Sequence, residues 1–140
     1  MNIVHLLTLA SLSMLSVVAR AGDQSDQAQI PVAIADHWLA LLDSGKYNQS
    51  WGEAAPLLQT QVRAGQWRRL LRSVRDSLGE MQKRRFDKAK EDFQLPGVPA
   101  GDYVVVQFET SFSEKPDAIE TVTLAKDQKQ TWRVLDYYVN

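Results

Sequence analysis

The spacing of the apolar residues changes once along this chain, and that change constrains the fold more than any other feature. Before Gly79 apolar side chains recur every three or four residues, as they do in amphipathic helices. Beyond residue 102 the chain is rich in β-branched and aromatic residues, and it predicts strands over 103–112, 119–125 and 131–139. Helices followed by strands are typical of an α+β domain.

Two helices are predicted most clearly. The first carries the stripe Ile30, Ile34, His37, Trp38 and Leu41 and is stopped by Gly45. The second carries the stripe Trp67, Leu70, Leu71, Val74 and Leu78 and is closed by Gly79. Between them a short helix is predicted from Lys46, and Pro56 either limits it or begins the next helical piece, where its missing N–H costs nothing.

The connections between the strands are short. Turn residues fill 96–101, 113–117 and 126–130, and segments of this length cannot carry a crossover helix. The strands should therefore form an antiparallel meander. With the charged and ambiguous segment 81–93, we expect three N-terminal helices packed on a curved four-stranded antiparallel sheet.

The N-terminal segment resembles a secretory signal peptide. An apolar run over 3–18 is followed by Ala19, Arg20 and Ala21, the small-x-small pattern of a cleavage site. The run of about 16 residues is shorter than the roughly 20 that a membrane-spanning helix needs, which disfavours the alternative of an N-terminal anchor. We expect a signal peptide over 1–21, cleavage after Ala21, and one mature domain over 22–140 in the periplasm or outside the cell. The chain has no cysteine, so no disulfide is expected.

Short motifs throughout the mature segment carry a resemblance to a known family. They include Asp43-Ser44-Gly45-Lys46-Tyr47, Ser50-Trp51, Leu95-Pro96-Gly97, Thr110-Ser111-Phe112, Trp132-Arg133-Val134 and Tyr137-Tyr138. These motifs resemble the exported bacterial domain of unknown function 4019 family (DUF4019). The resemblance implies a periplasmic protein of Gram-negative bacteria and gives no activity. In the family pattern a glycine usually stands where this chain has Asp136, and no histidine is expected at His37, which argues against a shared catalytic role for these two residues.

The order of helices and then a meander also resembles the nuclear transport factor 2-like, or cystatin-like, roll. In that fold a curved sheet wraps a long N-terminal helix and leaves a conical pocket. The likeness implies a fold and no function, because the roll hosts enzymes, ligand binders and inert modules.

Hairpin register predicts a candidate catalytic site. If the 126–130 turn pairs Leu124 with Trp132, then Glu120 lies opposite Asp136 at the border of an apolar face. The preceding hairpin can extend this face in the same way, by placing three residues beside Leu124, Val122 and Glu120: Val104, Val106 and Phe108. Two opposed carboxylates either share a proton or hold a cation, which is the arrangement an acid/base catalyst needs. His37, on the stripe of the first helix, could complete the cluster. The alternative is structural: the carboxylates are solvated or bridged to Arg84 or Arg85, and His37 is a hydrogen-bonded core residue.

A pocket of the roll type would have a recognisable lining. We expect it to be formed by Phe108, Val122, Trp132 and Tyr138. A deep cavity there would favour a small-molecule site, including an enzymatic one, whereas side chains filling the space would favour a binding module.

The middle of the chain is basic. Ten Lys or Arg residues lie between Arg63 and Lys90 against only three acidic residues. A candidate binding face consists of Arg68, Arg72, Arg75, Lys83, Arg84, Arg85 and Lys88. Such a face could hold an anionic envelope component, such as lipid headgroups or lipopolysaccharide phosphates, or another periplasmic protein. The alternative is a solvated face with ion pairs. Because Arg84 and Arg85 lie outside the predicted helices, we expect both to tolerate charge reversal.

Other classes of function have less support in the sequence. No metal or cofactor is expected, because the potential ligands lack metal-binding spacing and no phosphate-binding motif is present. Nucleic acid is not expected either, since no aromatic-basic recognition motif accompanies the basic segment. The sequence therefore favours an exported binding module without catalysis, with an acid/base enzyme using Glu120, Asp136 and His37 as the alternative.

Overall fold

The computed structural model describes the backbone of residues 21–140 and the side chains of residues 28–140. Its helices are α1 (Ala21–Asp43), α2 (Tyr47–Gly52), α3 (Pro56–Gln61) and α4 (Ala64–Leu78). Its strands are β1 (Met81–Asp92), β2 (Tyr103–Phe112), β3 (Ala118–Lys126) and β4 (Trp132–Val139). The predicted α+β class is confirmed. The predicted signal peptide lies outside the described residues, apart from Ala21, and none of the described helices is long and apolar enough to cross a membrane.

Local sequence signals set the helix boundaries. Gly45 and Gly79 follow α1 and α4 with positive φ angles of 69° and 77°, which glycine adopts without strain. Pro56 occupies the first turn of α3, where its missing N–H costs nothing. The segment between the two long helices therefore forms two short helices, so residues 21–140 contain four helices where three were expected, and Pro56 begins a helical piece, which was one of its two predicted roles.

The four strands form one antiparallel sheet in the order β1-β2-β3-β4, which confirms the predicted meander. The ambiguous charged segment is β1, an edge strand. In the β2–β3 pair Phe108 lies opposite Glu120 and Val106 opposite Val122, as the hairpin argument predicts.

The predicted β3–β4 register is wrong. The turn pairs Lys126 with Trp132 and therefore Leu124 with Val134, whereas the sequence argument paired Leu124 with Trp132. A further register shift between Thr123 and Leu124 places Asp136 opposite Thr123 and Val139 opposite Glu120. The strands thus begin to pair closer to the turn than the argument assumed, and beyond Leu124 a β-bulge, which adds a residue to one strand only, changes the register again.

Aromatic side chains fill the space between the helices and the sheet. The rings of Trp38 and Trp67 lie 6.1 Å apart, and those of Trp38 and Tyr137 lie 5.6 Å apart. Both indole N–H groups donate to Ser50, that of Trp38 to the carbonyl oxygen at 2.9 Å and that of Trp67 to Oγ at 3.0 Å. The tryptophans are therefore core residues with satisfied polar atoms.

Candidate functional site

Four charged side chains meet beneath the helices, each from a different element. Asp43 is the last residue of α1, Arg75 lies on α4, Arg84 on β1 and Glu120 on β3. The side chains of Glu120, Arg75 and Arg84 are 0%, 5% and 7% exposed, and that of Asp43 is 18% exposed. We refer to these four residues as the buried charge cluster.

Arg84 joins both carboxylates of the cluster. Its Nε donates to Glu120 Oε1 at 2.7 Å. Its Nη1 and Nη2 donate to Asp43 Oδ2 and Oδ1 at 2.7 and 2.9 Å, a bidentate contact. All three guanidinium nitrogens are thus used, and bidentate arginine–carboxylate contacts are among the strongest hydrogen bonds in proteins.

Arg75 makes the second set of links. Its Nη2 donates to Asp43 Oδ1, and its Nη1 lies 3.4 Å from both Glu120 Oε2 and the Tyr137 hydroxyl oxygen. Its guanidinium carbon lies 4.8 Å from the centre of the Phe112 ring, a cation–π contact. Arg75 is therefore held by contacts with α1, β2, β3 and β4.

Two hydroxyl groups complete the hydrogen bonding of Glu120. Thr110 Oγ1 donates to Oε1 at 2.6 Å, and Tyr137 Oη donates to Oε2 at 2.7 Å. Two arginines balance two carboxylates, so the cluster is formally neutral. Buried charges persist when they are paired and hydrogen-bonded in this way.

The ionisation of the cluster follows from its burial and contacts. Burial by itself raises the pKa of Asp43, but the hydrogen bonds and charges of Arg84 and Arg75 outweigh it and the net shift is downward. Burial raises the pKa of Tyr137, and the neighbouring Glu120 carboxylate raises it further. Burial lowers the pKa of Arg84, yet the contacts with Asp43 and Glu120 raise it overall. At neutral pH Asp43 is therefore ionised, Arg84 is charged and Tyr137 is a neutral phenol.

The predicted catalytic trio is not brought together. Asp136 pairs with Thr123, so it lies on the sheet face opposite to Glu120, and it is exposed. His37 lies on the solvent side of α1 with its side chain 65% exposed, and its Nε2 is 3.4 Å from Glu53 Oε2. The prediction that His37 lies on the buried stripe of the first helix is wrong, because Trp38 and Leu39 occupy the buried side of α1.

The predicted pocket lining does not surround one cavity. Phe108 and Val122 are buried in the core, whereas Tyr138 is 46% exposed. Tyr138 pairs with Thr121 while the adjacent Tyr137 pairs with Val122, so Tyr138 points away from the core. Trp132 lies at the β3–β4 turn, near the Lys126 ammonium group. A groove of about 480 Å³ does touch Phe108, but it runs between α1 and β1.

The predicted basic face divides into two parts. Arg75 and Arg84 belong to the buried charge cluster, so the expectation that Arg84 tolerates charge reversal is wrong. The other members are exposed, Arg68 and Arg72 on α4 and Lys83, Arg85 and Lys88 on β1.

The structural alternative of the sequence analysis anticipated one link of the cluster, the ion pair of Glu120 with Arg84, but Asp43 and Arg75 were missed although one signal was present. Arg75 lies four residues after Leu71 and eight after Trp67, on the buried stripe of α4, where a charged residue needs a buried partner. Nothing local marks Asp43 or Tyr137 as its partners. Among the described residues no group of three or more His, Cys, Asp or Glu side chains could hold a metal ion.

Comparison with known proteins identifies a family and no activity. No curated protein matches the sequence. The model of the family described as protein of unknown function (DUF4019) matches residues 34–137. This range includes all four residues of the buried charge cluster and most of the domain, and the chain therefore belongs to the DUF4019 family.

Proposed function

We propose that this chain is an exported interaction module that binds an anionic component of the cell envelope through exposed cations of the segment 63–90. The observation that carries the proposal is the exposure of these cations. Eight of the ten Lys and Arg residues in the segment are exposed, and the other two lie in the buried charge cluster. A concentration of one sign of charge on a surface attracts partners of the opposite sign.

The state of Glu120 disfavours the acid/base alternative. A general acid or base must reach the proton that it transfers, directly or through one water. Both oxygens of Glu120 are occupied by donors of the domain, and its side chain is fully buried. Its two predicted partners, Asp136 and His37, lie elsewhere. These contacts support a structural role for the cluster, which links α1, α4, β1 and β3, rather than a catalytic role.

Export is part of the proposal and rests on the signal-like N-terminal segment. Ala19 and Ala21 frame the predicted cleavage site. N-terminal sequencing of protein recovered from a periplasmic extract should begin at Gly22. Recovery of the chain with Met1 intact in the membrane fraction would contradict this part of the proposal.

The binding experiment uses the mature chain and three anionic probes: vesicles with anionic lipid, lipopolysaccharide, and a linear polyuronate. Zwitterionic vesicles and neutral dextran are the controls. We expect retention on at least one anionic probe at low salt and its loss near 1 M salt, because the Debye length falls from about 10 Å at 0.1 M to about 3 Å at 1 M. Absence of binding to all three probes at low salt refutes the proposed function.

A further inference from the structure

A groove of about 860 Å³ lies at the end of the sheet where the β3–β4 turn meets the segment between α2 and α3. Its floor consists of three residues that pair in series across neighbouring strands, Tyr103 with Ala125 and Ala125 with Arg133. Side chains alternate along a strand, so these three lie on the sheet face opposite to that of the core residues Val104 and Leu124. The floor of the groove therefore faces away from the core.

Two connecting segments form the walls of the groove. On the side of β2, Tyr103 Oη donates to the carbonyl oxygen of Pro99 and holds the β1–β2 connection against the strand. On the side of β4, the N–H of Ala55 donates to the carbonyl oxygen of Val134 at 2.7 Å and fixes the segment 54–57 beside the strand. That segment reads Ala-Ala-Pro-Leu, and the opposite wall begins with Pro-Ala. Both walls thus offer small apolar side chains to a ligand.

The β3–β4 turn places a guanidinium group at this groove. Asp127 Oδ1 accepts the backbone N–H groups of Lys129 and Thr131, both at 2.9 Å, and Asp127 Oδ2 accepts Arg133 Nε at 3.1 Å. The turn therefore fixes the Arg133 side chain through Asp127. No other hydrogen bond within residues 28–140 uses this guanidinium, so its Nη1 and Nη2, which can bind a carboxylate in a bidentate way, are available.

The charge around the groove is positive. Three cations line it, Lys126, Lys129 and Arg133, and Asp127 is the one acidic residue among the described lining residues. Asp127 pairs with Arg133, so the charges of the two lysines are in excess. Asp102 accepts Lys126 N through its backbone carbonyl oxygen, but it does not line the groove. The groove therefore favours an anion.

The groove between α1 and β1 differs in this respect. Arg84 lines that groove, but all three of its guanidinium nitrogens donate to Asp43 and Glu120. The carboxylate of Asp36 lines the same groove. An anion bound there would meet a carboxylate and, among the described lining residues, no uncommitted cation.

We propose that the groove at the β3–β4 turn binds a small carboxylic acid with an apolar chain, with its carboxylate on Arg133 and Lys129 and its chain between the two apolar walls. The site lies outside the segment 63–90 and is independent of the proposed function. A carboxylate matches the planar fork of a guanidinium group. The volume of the groove falls within the range of small-molecule sites, about 300–1,000 Å³, in which apolar linings with a few polar groups predominate.

The test compares four ligands by calorimetric titration of the mature chain: octanoate, butyrate, octanamide and octyl phosphate. Octanoate should saturate one site and bind at least about tenfold more tightly than butyrate, because its longer chain removes more methylene groups from water. It should also bind at least about tenfold more tightly than octanamide, which has the same chain but no charge for Arg133. Octyl phosphate should bind no more tightly than octanoate.

Two variants test the role of Arg133. Arg133→Gln should weaken octanoate binding at least about tenfold and remove the preference for octanoate over octanamide. Lys115→Gln is the matched control, since Lys115 is 39% exposed and pairs with Asp117, much as Arg133 is 36% exposed and pairs with Asp127. Lys115 does not line the groove, so its variant should stay within about threefold of the wild type. Equal thermal melting shows that both variants are folded.

Chemical-shift mapping locates the ligand on the wild type without any substitution, so the test holds even where Arg133→Gln fails to fold. Octanoate should shift the amide resonances of 54–57, 99–103 and 125–133. Shifts at the α1–β1 groove in their place would refute the assigned site. The inference also fails if octanoate shows no saturable binding, if octanamide binds equally well, if octyl phosphate binds more tightly, or if both variants lose affinity equally. None of these results affects the retention of anionic probes by the segment 63–90.

Discussion

Replacing Glu120 with Gln tests the buried charge cluster most directly. The substitution keeps the shape of the side chain but removes one of two negative charges, and it leaves Arg75 and Arg84 opposite Asp43 alone. Each oxygen of Glu120 accepts from at least two hydroxyl or guanidinium donors. The NH2 group of Gln is itself a donor, so it would face donors in either orientation of the amide. Removing one partner of a buried ion pair typically costs about 3–5 kcal/mol.

That cost is a large share of the roughly 5–15 kcal/mol by which a domain is stable. For a domain of this size it corresponds to a fall in Tm of about 10–20 °C, measured by circular dichroism or calorimetry. Glu109→Gln is the matched control, because Glu109 is also ion-paired on the sheet but has a 46% exposed side chain. The control should cost less than about 1 kcal/mol. A Glu120→Gln protein that melts within about 2 °C of the wild type would refute the assigned role of the cluster.

Three further predictions concern other features of the fold. The pKa of Asp43 lies below its ordinary value of 3.8, so its contribution to stability is complete above about pH 5 and is lost as the pH falls through 3.8 and below. Asp43→Asn should therefore reduce the dependence of the unfolding free energy on pH at acid pH. Gly79→Ala should lower the unfolding free energy more than Gly45→Ala in chemical denaturation, because both glycines have a positive φ but only a Cβ at residue 79 would lie 1.9 Å from Ser113 Oγ. Equal effects would contradict the close approach of Ser113 to Gly79. Trp67→Ala should lower the unfolding free energy by about 3–5 kcal/mol, because Trp67 is 4% exposed; an unchanged Tm would show that α4 does not pack as described.

Much of the fold could be predicted because its signals are local. The apolar stripe of α4 around Trp67 and the end of that helix at Gly79 are both indicated by a few neighbouring residues. The β2–β3 register followed from strand alternation and a short connection. β1 was ambiguous, because an exposed edge strand rich in Lys, Arg and Asp lacks the apolar alternation of a half-buried strand.

The candidate site was predicted less well because it depends on two bulges and on side chains distant in sequence. The register set by the 126–130 turn and the bulge in β3–β4 together separate Asp136 from Glu120, and the bulge in β1 places Lys83, Arg85, Lys88 and Lys90 on one face. A bulge shifts the pairing register of two strands by one residue, and no pattern in this sequence indicates where the bulges occur. The sequence shows how many cations lie in the segment 63–90, but it does not show that Arg75 and Arg84 are buried while the others are exposed.

The sequence by itself determined the order of helices and strands, the antiparallel meander and the basic character of segment 63–90, because periodicity, turn residues and charge are properties of neighbouring residues. Only the tertiary structure decided that Asp43, Arg75, Arg84 and Glu120 share one site. These residues are brought together from α1, α4, β1 and β3, and a buried charge remains stable only where such distant partners neutralise it.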